Sequence, residues 1–380
     1  MSDKKIDQYL DIISNLLSEG ECCLFIGAGL PRAEAGLPGF SDLAIKVIRR
    51  LHKNHPELDW LPSLIDQPSA PIEMEAWANI EERLEKLIGD LSQEAIEIIK
   101  EEVDKSSDRE EQLPRDISPA QIAELGQLYD EPLLNKVVSN ELFMAKPEGK
   151  AYQGIKEIVN SQKYGVDVVY TTNYDNSLED YLGRTRAVRI ASGSALDAYR
   201  DLHALKIIHL HGHVDQNNYV ISESDMFRVA LYGNELYEAV KSDFVNKSFI
   251  FIGYGLRDPS ILFVYSLINE IHGPKRPAHY AVYPSKYLDP NQKKASAKWE
   301  LLSEIWEDRG VVYIDIDPGE FFSRLSLRLA HIKRQERIEK LAEKSPNFSV
   351  HDIEIVLNNI EEGFGFPSTE NSIHLLELLI

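Results

Sequence analysis

The sequence predicts an α/β protein with a doubly wound, mostly parallel Rossmann-like sheet, a large helical insertion and a helical C-terminal extension. Three observations carry this prediction. Short apolar runs bounded by turn residues recur along the 380-residue chain and alternate with longer helical stretches. The runs are almost continuously hydrophobic, as strands covered on both faces are. Several of them break into glycines or polar clusters at their carboxyl ends, where ligands of open α/β sheets sit.

In chain order, residues 1–21 have charges scattered through an amphipathic helical pattern, and the first strand follows at 22–26. Further strands are expected at 166–171, 206–210, 249–253, 280–284 and 311–316, each an apolar run too short for a helix of the core. Between the first two strands, residues 44–160 show helical periodicity with an acidic segment and no convincing strand, so this block is read as a helical insertion or layer. After the last strand a charged amphipathic helix leads into residues 331–380, a C-terminal helical extension and a candidate assembly interface.

Composition excludes several function classes. With 43% hydrophobic residues the chain buries a large core, and its net charge of -21 repels phosphate backbones, so no direct nucleic-acid binding is expected. No long uncharged span and no cationic leader before an apolar segment is present, which argues against membrane insertion or secretion. The only cysteines, Cys22 and Cys23, are adjacent, so one chain builds neither an unstrained disulfide nor a four-thiolate zinc site from them. A reducing cytoplasm is the expected location.

Four strand ends carry the chemistry. At Gly27-Ala28-Gly29 the first strand breaks at two glycines, which lets backbone N–H groups and the next helix terminus face an anion. The third glycine of the dinucleotide fingerprint is replaced by Arg32, which argues against an ordinary dehydrogenase; a turn that binds nothing is the bland alternative. The loop Ala35-Gly36-Leu37-Pro38-Gly39-Phe40-Ser41-Asp42 is suited to close over a ligand, or equally to cap a helix with Ser41 or Asp42 and bury Phe40. Thr171-Thr172-Asn173-Tyr174-Asp175 follows the second strand: Asn173 both donates and accepts, and Asp175 accepts, which suits a ribose and a carboxamide. An Asx turn would account for Asp175 and Asn176. Gly253-Tyr254-Gly255, with Asp258 ahead of Pro259, forms another small-residue turn, whose bland reading is a helix cap by Asp258.

The run His209-Leu210-His211-Gly212-His213 alternates three histidines, which would share a face if the strand continued through them. Gly212 signals that it does not, and no fourth ligand is evident, so a metal site is not expected. His209 suits a packed core position. His211, before a glycine at a strand end, is placed for proton chemistry near neutral pH.

Taken in order, Gly27-Ala28-Gly29, Ala35-Gly36-Leu37-Pro38 with Phe40, Thr171-Thr172-Asn173-Tyr174-Asp175, Leu210-His211-Gly212 and Gly253-Tyr254-Gly255-Leu256 resemble the bacterial sirtuin-like NAD-hydrolysing family of anti-phage defence systems, most closely the HerA-associated type. The resemblance implies a sirtuin-like NAD-binding domain over 1–330 and hydrolysis of NAD+ to ADP-ribose and nicotinamide, with no metal. It implies that Asn173 and His211 are catalytic, and that Gly27, Ala28, Gly29, Pro38, Phe40, Asp42, Thr172, Asp175, Gly212, Gly253, Tyr254, Gly255 and Asp258 surround the dinucleotide. The strand near 311–315 would border the adenine. It further implies a homo-oligomer, a hetero-complex with a HerA-type hexameric ATPase, and control by assembly. Two departures count against a sirtuin deacylase: the four-cysteine zinc module is missing, and Gly39-Phe40-Ser41 follows Pro38 where deacylases continue with aspartate, phenylalanine and arginine. An NAD or ADP-ribose sensor without turnover, and a deacylase or ADP-ribosyltransferase, are the alternatives.

Overall fold

The computed structural model describes residues 3–65, 117–142, 147–159, 166–183, 187–191, 196, 204–216, 218–256, 258–273, 277–284, 301, 303–344, 350, 351, 353 and 354. Helix α1 (Asp3–Ser18) precedes β1 (Cys22–Ile26), α2 (Gly29–Ala35) and α3 (Phe40–Asn54). Helices α4 (Pro119–Leu142) and α5 (Lys150–Val159) lead to β2 (Val168–Thr171), α6 (Ser177–Leu182), β3 (Ala187–Ile190) and β4 (Leu205–His209). Then come α7 (Glu223–Tyr232), α8 (Glu235–Asn246), β5 (Ser248–Ile252), α9 (Pro259–His272), β6 (His279–Val282), β7 (Val311–Ile314) and α10 (Pro318–Lys344).

The strands form one seven-stranded sheet in the order β3-β4-β2-β1-β5-β6-β7, every pairing parallel. Residue alternation along β1 splits the core in two. Cys22, Leu24 and Ile26 face a layer made by α1, α5 and α10, with Ile13, Ile155, Phe321 and Phe322 at its centre. Cys23 and Phe25 face α8 and α9, with Tyr237, Phe244, Val264 and Tyr265. A third cluster joins α3 and α4 to the loops beyond the strand ends, through Ile48, Val138, Tyr174 and Tyr219. Helix α1 docks because Ile6, Leu10, Ile13 and Leu17 fall on one face, and Arg324 and Arg328 of α10 clasp its Asp7 and Asp11.

All six expected strands form, with no end displaced by more than two residues. The seventh, β3, was not anticipated: it is a four-residue edge strand whose middle residues are only half-buried, so its apolar pattern is weak. The expected helical block is helical at 44–54, 119–142 and 150–159, while 66–116 lies outside the described residues. Asp130 breaks the helical geometry of α4 just before Pro132, the kink a proline imposes by removing a donor and crowding the preceding turn. Helix α10 runs unbroken through residues 330 and 331, so the boundary expected there coincides with no break in the backbone; residues 355–380 lie outside the described set. No described helix is long and apolar enough to cross a membrane.

Candidate functional site

The chain leaves β1 toward β2 and β4 on one side and returns to β5 on the other, so the sheet reverses direction beside β1. Carboxyl ends at such a reversal form the ligand crevice of doubly wound sheets. The loops after β1, β2, β4 and β5 all meet there.

The two glycine turns, read from sequence as separate cradles, pack directly on each other. Gly27 and Gly29 donate their amides to the carbonyls of Ile252 and Gly253, both at 2.9 Å. A Cβ on Gly27 would lie 2.6 Å from the Gly253 oxygen and 2.7 Å from Tyr254 Cδ2. Gly253 adopts φ 60° and abuts the Leu30 amide, a conformation and an approach that only glycine accepts without strain. Those two amides are therefore spent on joining β1 to β5. Ala28, Gly29 and Gly255 remain exposed at the rim. Tyr254 turns inward, its ring 4.6 Å from that of Phe25, and its hydroxyl is buried with no hydrogen-bond partner among the described residues. Burial raises the Tyr254 pKa, so this hydroxyl is neutral.

After β2, Thr171 Oγ1 donates to the Ile26 carbonyl at 2.8 Å and accepts from the Asn173 amide at 3.0 Å, tying the Asn173 turn to β1. Thr172 and Asn173 are half-buried at the edge of the crevice. Asp175 accepts from the Ser177 amide and hydroxyl at the start of α6, the Asx arrangement weighed from sequence. Burial raises its pKa against those two hydrogen bonds. In the loop after α2, Asp42 accepts from the Gly39 amide at 2.7 Å and so caps α3. Phe40 is half-buried against the third core cluster, and Pro38 is half-buried beside it in sequence.

The three histidines do not share a face. Strand β4 ends at His209, Leu210 donates its amide to Thr171 at 2.8 Å, and Gly212 at φ 90° turns the chain against the Asn218 carbonyl. His211 points to α8 and α9: its Nε2 lies 3.0 Å from the Tyr237 hydroxyl, 3.1 Å from Ser260 Oγ and 3.4 Å from Asp258 Oδ2. Asp258 caps α9 through the amides of Ser260 and Ile261 and accepts from Ser260 Oγ at 2.6 Å. It thus serves as both a cap and a neighbour of His211. Burial depresses the His211 pKa, with Asp258 and Asp225 pulling weakly the other way. A neutral imidazole two residues past β4 is ready to accept a proton.

His209 and His213 turn to the opposite side, their rings 4.7 Å apart and perpendicular. His209 Nδ1 donates to the Asn173 carbonyl at 2.8 Å and Nε2 to Glu179 Oε1 at 2.6 Å. His213 Nδ1 accepts from the Asp215 amide at 3.1 Å and lies 3.2 Å from Arg189, itself paired with Asp215 at 2.5 Å. Glu179 was missed from sequence. With His209 and His213 it offers ligand atoms within 4.8 Å of one another, the one such group among the described residues. In this arrangement the nitrogens already have protein partners and a guanidinium stands beside them.

Residues 167–314 match the family model described as SIR2-like domain. The match runs from β2 to β7 and contains Asn173, His211 and Asp258, while Gly27 to Asp42 lie before it and reach the domain through β1. The chain is 28% identical over 124 residues to NAD(+) hydrolase ThsA of Cytobacillus dafuensis, covering 31% of this chain and 24% of that one. It is 20% identical over 142 residues to NAD(+) hydrolase ThsA of Bacillus cereus (strain MSX-D12), covering 36% of this chain and 29% of that one. Each match therefore spans less than a third of the relative's own length. A solved chain described as "Structural Basis for the Mechanism and Regulation of Sir2 Enzymes" overlaps with a TM-score of 0.36 at 10% identity, covering 88% of this chain and 100% of that one. The fold assignment itself rests on the strand order and register given above.

Proposed function

We propose that the SIR2-like site hydrolyses NAD+ to ADP-ribose and nicotinamide, with Asn173 and His211 as the catalytic pair. The observation that carries this reading is the neutral, buried His211 at the end of β4, one strand over from the Asn173 turn at the end of β2. The unpartnered Tyr254 hydroxyl and the exposed rim of Ala28, Gly29 and Gly255 support a polar ligand lying across the β1–β5 junction. The match to two proteins named as NAD(+) hydrolases supports the choice of substrate.

Nicotinamide in NAD+ is a cationic leaving group. The C1′–N bond breaks with its electron pair moving to the pyridinium nitrogen, and the ribose becomes an oxocarbenium ion. Asn173 orients the ribose hydroxyls or the attacking water. Water adds to C1′ and loses its proton to His211, directly or through a ribose hydroxyl, and His211 later releases it to solvent. General-base assistance of this kind contributes about 10²-fold to 10⁴-fold. No metal enters any step.

His211 is 2% exposed and engaged by Tyr237 and Ser260, so the base is closed off from solvent. This favours an enzyme released by assembly over one that is always open, consistent with depletion of NAD+ as an anti-phage response. The partner in this reading is a HerA-type hexameric ATPase acting on a homo-oligomer of this chain, in the cytoplasm. The test is chromatographic quantification of nicotinamide and ADP-ribose from NAD+, with the chain alone and with its genomic neighbour. His211→Ala and Asn173→Ala should each lower turnover by about 10²-fold or more. Undiminished turnover in both would overturn the reading, and NAD+ binding without product in the assembled wild type would replace it with a sensor.

A further inference from the structure

We propose that Glu179 and His209 are positioning residues: as a buried pair they grip the Asn173 carbonyl and hold the 172–175 turn so that the Asn173 side chain stays at the sheet edge beside His211. This rests on the hydrolase reading for its catalytic meaning and on geometry for its structural one.

His209 is the last residue of β4, and its register partner on β2 is Thr171. The imidazole therefore stands under the turn that β2 makes into α6. From that position Nδ1 reaches the Asn173 carbonyl at 2.8 Å, while Nε2 reaches Glu179 Oε1 at 2.6 Å in the first turn of α6. Both acceptors lie on the segment that carries Asn173, on either side of Asp175. The ring thus staples the start of the turn to the helix that follows it. His213 packs edge-on against the His209 ring and limits its rotation.

Both nitrogens of His209 donate, which requires the imidazolium. Burial opposes that charge, but Glu179, its hydrogen bond and the Asn173 carbonyl outweigh burial and raise the His209 pKa. On Glu179, burial likewise opposes the charge and His209 outweighs it, so its pKa is lowered. Asp175 adds a further attraction to His209.

A buried ion pair adds little net stability, because the cost of desolvation offsets most of the attraction. Its consequence is orientation: a ring with both N–H groups committed has one setting. Glu179 Oε2 is buried with no hydrogen-bond partner among the described residues. The ring holds Asn173 by its backbone carbonyl, so the staple itself does not use the Asn173 side chain.

The test uses the full chain and four proteins: wild type, Glu179→Gln, His209→Gln and the double variant Glu179→Leu with His209→Phe. The last removes both charges together and keeps the fold if either single variant unfolds. Hydrogen–deuterium exchange without nucleotide reads the turn directly. Exchange of residues 172–176 should accelerate about tenfold in each variant, equivalent to about 1.4 kcal/mol of lost protection, while β5 keeps its wild-type rate. With NAD+, kcat should fall by about 10²-fold, the loss that follows a displacement on the order of 1 Å, and KM should stay within about threefold. Unchanged exchange at 172–176 overturns the proposal whatever happens to turnover. Equal acceleration in β5 also overturns it, as general destabilisation. Faster local exchange with unchanged kcat removes the catalytic meaning. If the wild type assembled with its genomic neighbour turns over no NAD+, the hydrolase reading fails and exchange together with NAD+ affinity decides the positioning alone.

Discussion

Alanine at Gly253 should be among the most damaging single substitutions at the β1–β5 junction, and three glycines separate the causes. Gly20 has φ 76° with nothing within 4 Å of an added Cβ, so Gly20→Ala tests backbone strain alone. Left-handed strain costs about 1–2 kcal/mol, partly offset by the stiffer unfolded chain, leaving roughly 1 kcal/mol. Gly27 lacks the positive φ, but its Cβ would meet the Gly253 oxygen and Tyr254 Cα, each at 2.6 Å. Gly253→Ala combines both: φ 60°, and a Cβ pressed on the Leu30 amide and 3.0 Å from Gly29 C. These are backbone atoms that no rotamer change can move. Relief means separating the two loops, which costs about 1–3 kcal/mol as overpacking and about 1 kcal/mol for the Gly29-to-Gly253 hydrogen bond. The expected loss is about 3–5 kcal/mol, which lowers Tm by roughly 4–6 °C in a chain of 380 residues. Thermal melts and urea titrations of the three variants check the order Gly253→Ala, then Gly27→Ala, then Gly20→Ala. If Gly253→Ala and Gly20→Ala cost the same within about 0.5 kcal/mol, the close approach is not the cause and the reasoning fails.

Phe322 is fully buried between α10 and α5, so Phe322→Ala should cost about 3–5 kcal/mol in urea unfolding, and a cost below about 1 kcal/mol would place it outside the core. The His213 pKa is lowered to about 3 from an ordinary 6.5 by burial and then by His209 and Arg189. Between those values the unfolded chain binds a proton that the folded chain refuses, so stability falls as pH drops through that window. His209 works in the opposite sense: its raised pKa stabilises the fold at low pH and the contribution is lost as pH rises through the folded value. His213→Gln should flatten the acid limb of a stability-against-pH curve, and an unchanged limb would refute the assignment. EDTA should leave NAD+ turnover intact; loss that zinc restores would mean that Glu179, His209 and His213 hold a metal in place of their present hydrogen bonds.

Strand identity was readable because buried parallel strands are apolar on both faces, and each of the six expected runs sits in the sheet. Edge strand β3 was not, since Arg189 and a four-residue length leave too little pattern. The neighbourhood of each strand end was readable from glycines and polar clusters, but the partners across it were not. Glu179 lies 30 residues from His209 and sits beside Asp180 in a short helix, where an acid reads as solvent-facing. The available signal was the strand pairing itself: a histidine ending a buried strand needs a partner, and the first turn of the helix after the adjacent strand is the place to look. Tyr237 and Ser260 reached His211 by the same route, from helices α8 and α9 on either side of β5.

His209 and His211 are two residues apart, both almost fully buried, and each lies near one carboxylate, yet their pKa values move in opposite directions. Distance contributes part of the difference, 2.6 Å to Glu179 against 3.4 Å to Asp258. A Coulomb energy scaling with inverse distance changes by only about a third between those separations, too little to reverse a sign. The larger difference is in what each ring donates to. His209 donates to Glu179 Oε1 and to the Asn173 carbonyl, both of which favour the imidazolium, whereas His211 Nε2 faces the Tyr237 and Ser260 hydroxyls. Hydrogen bonds to the charged form favour it, and burial without them disfavours it. Burial is therefore what leaves His211 neutral, and loss of the Glu179 carboxylate would bring the two histidines toward the same charge state.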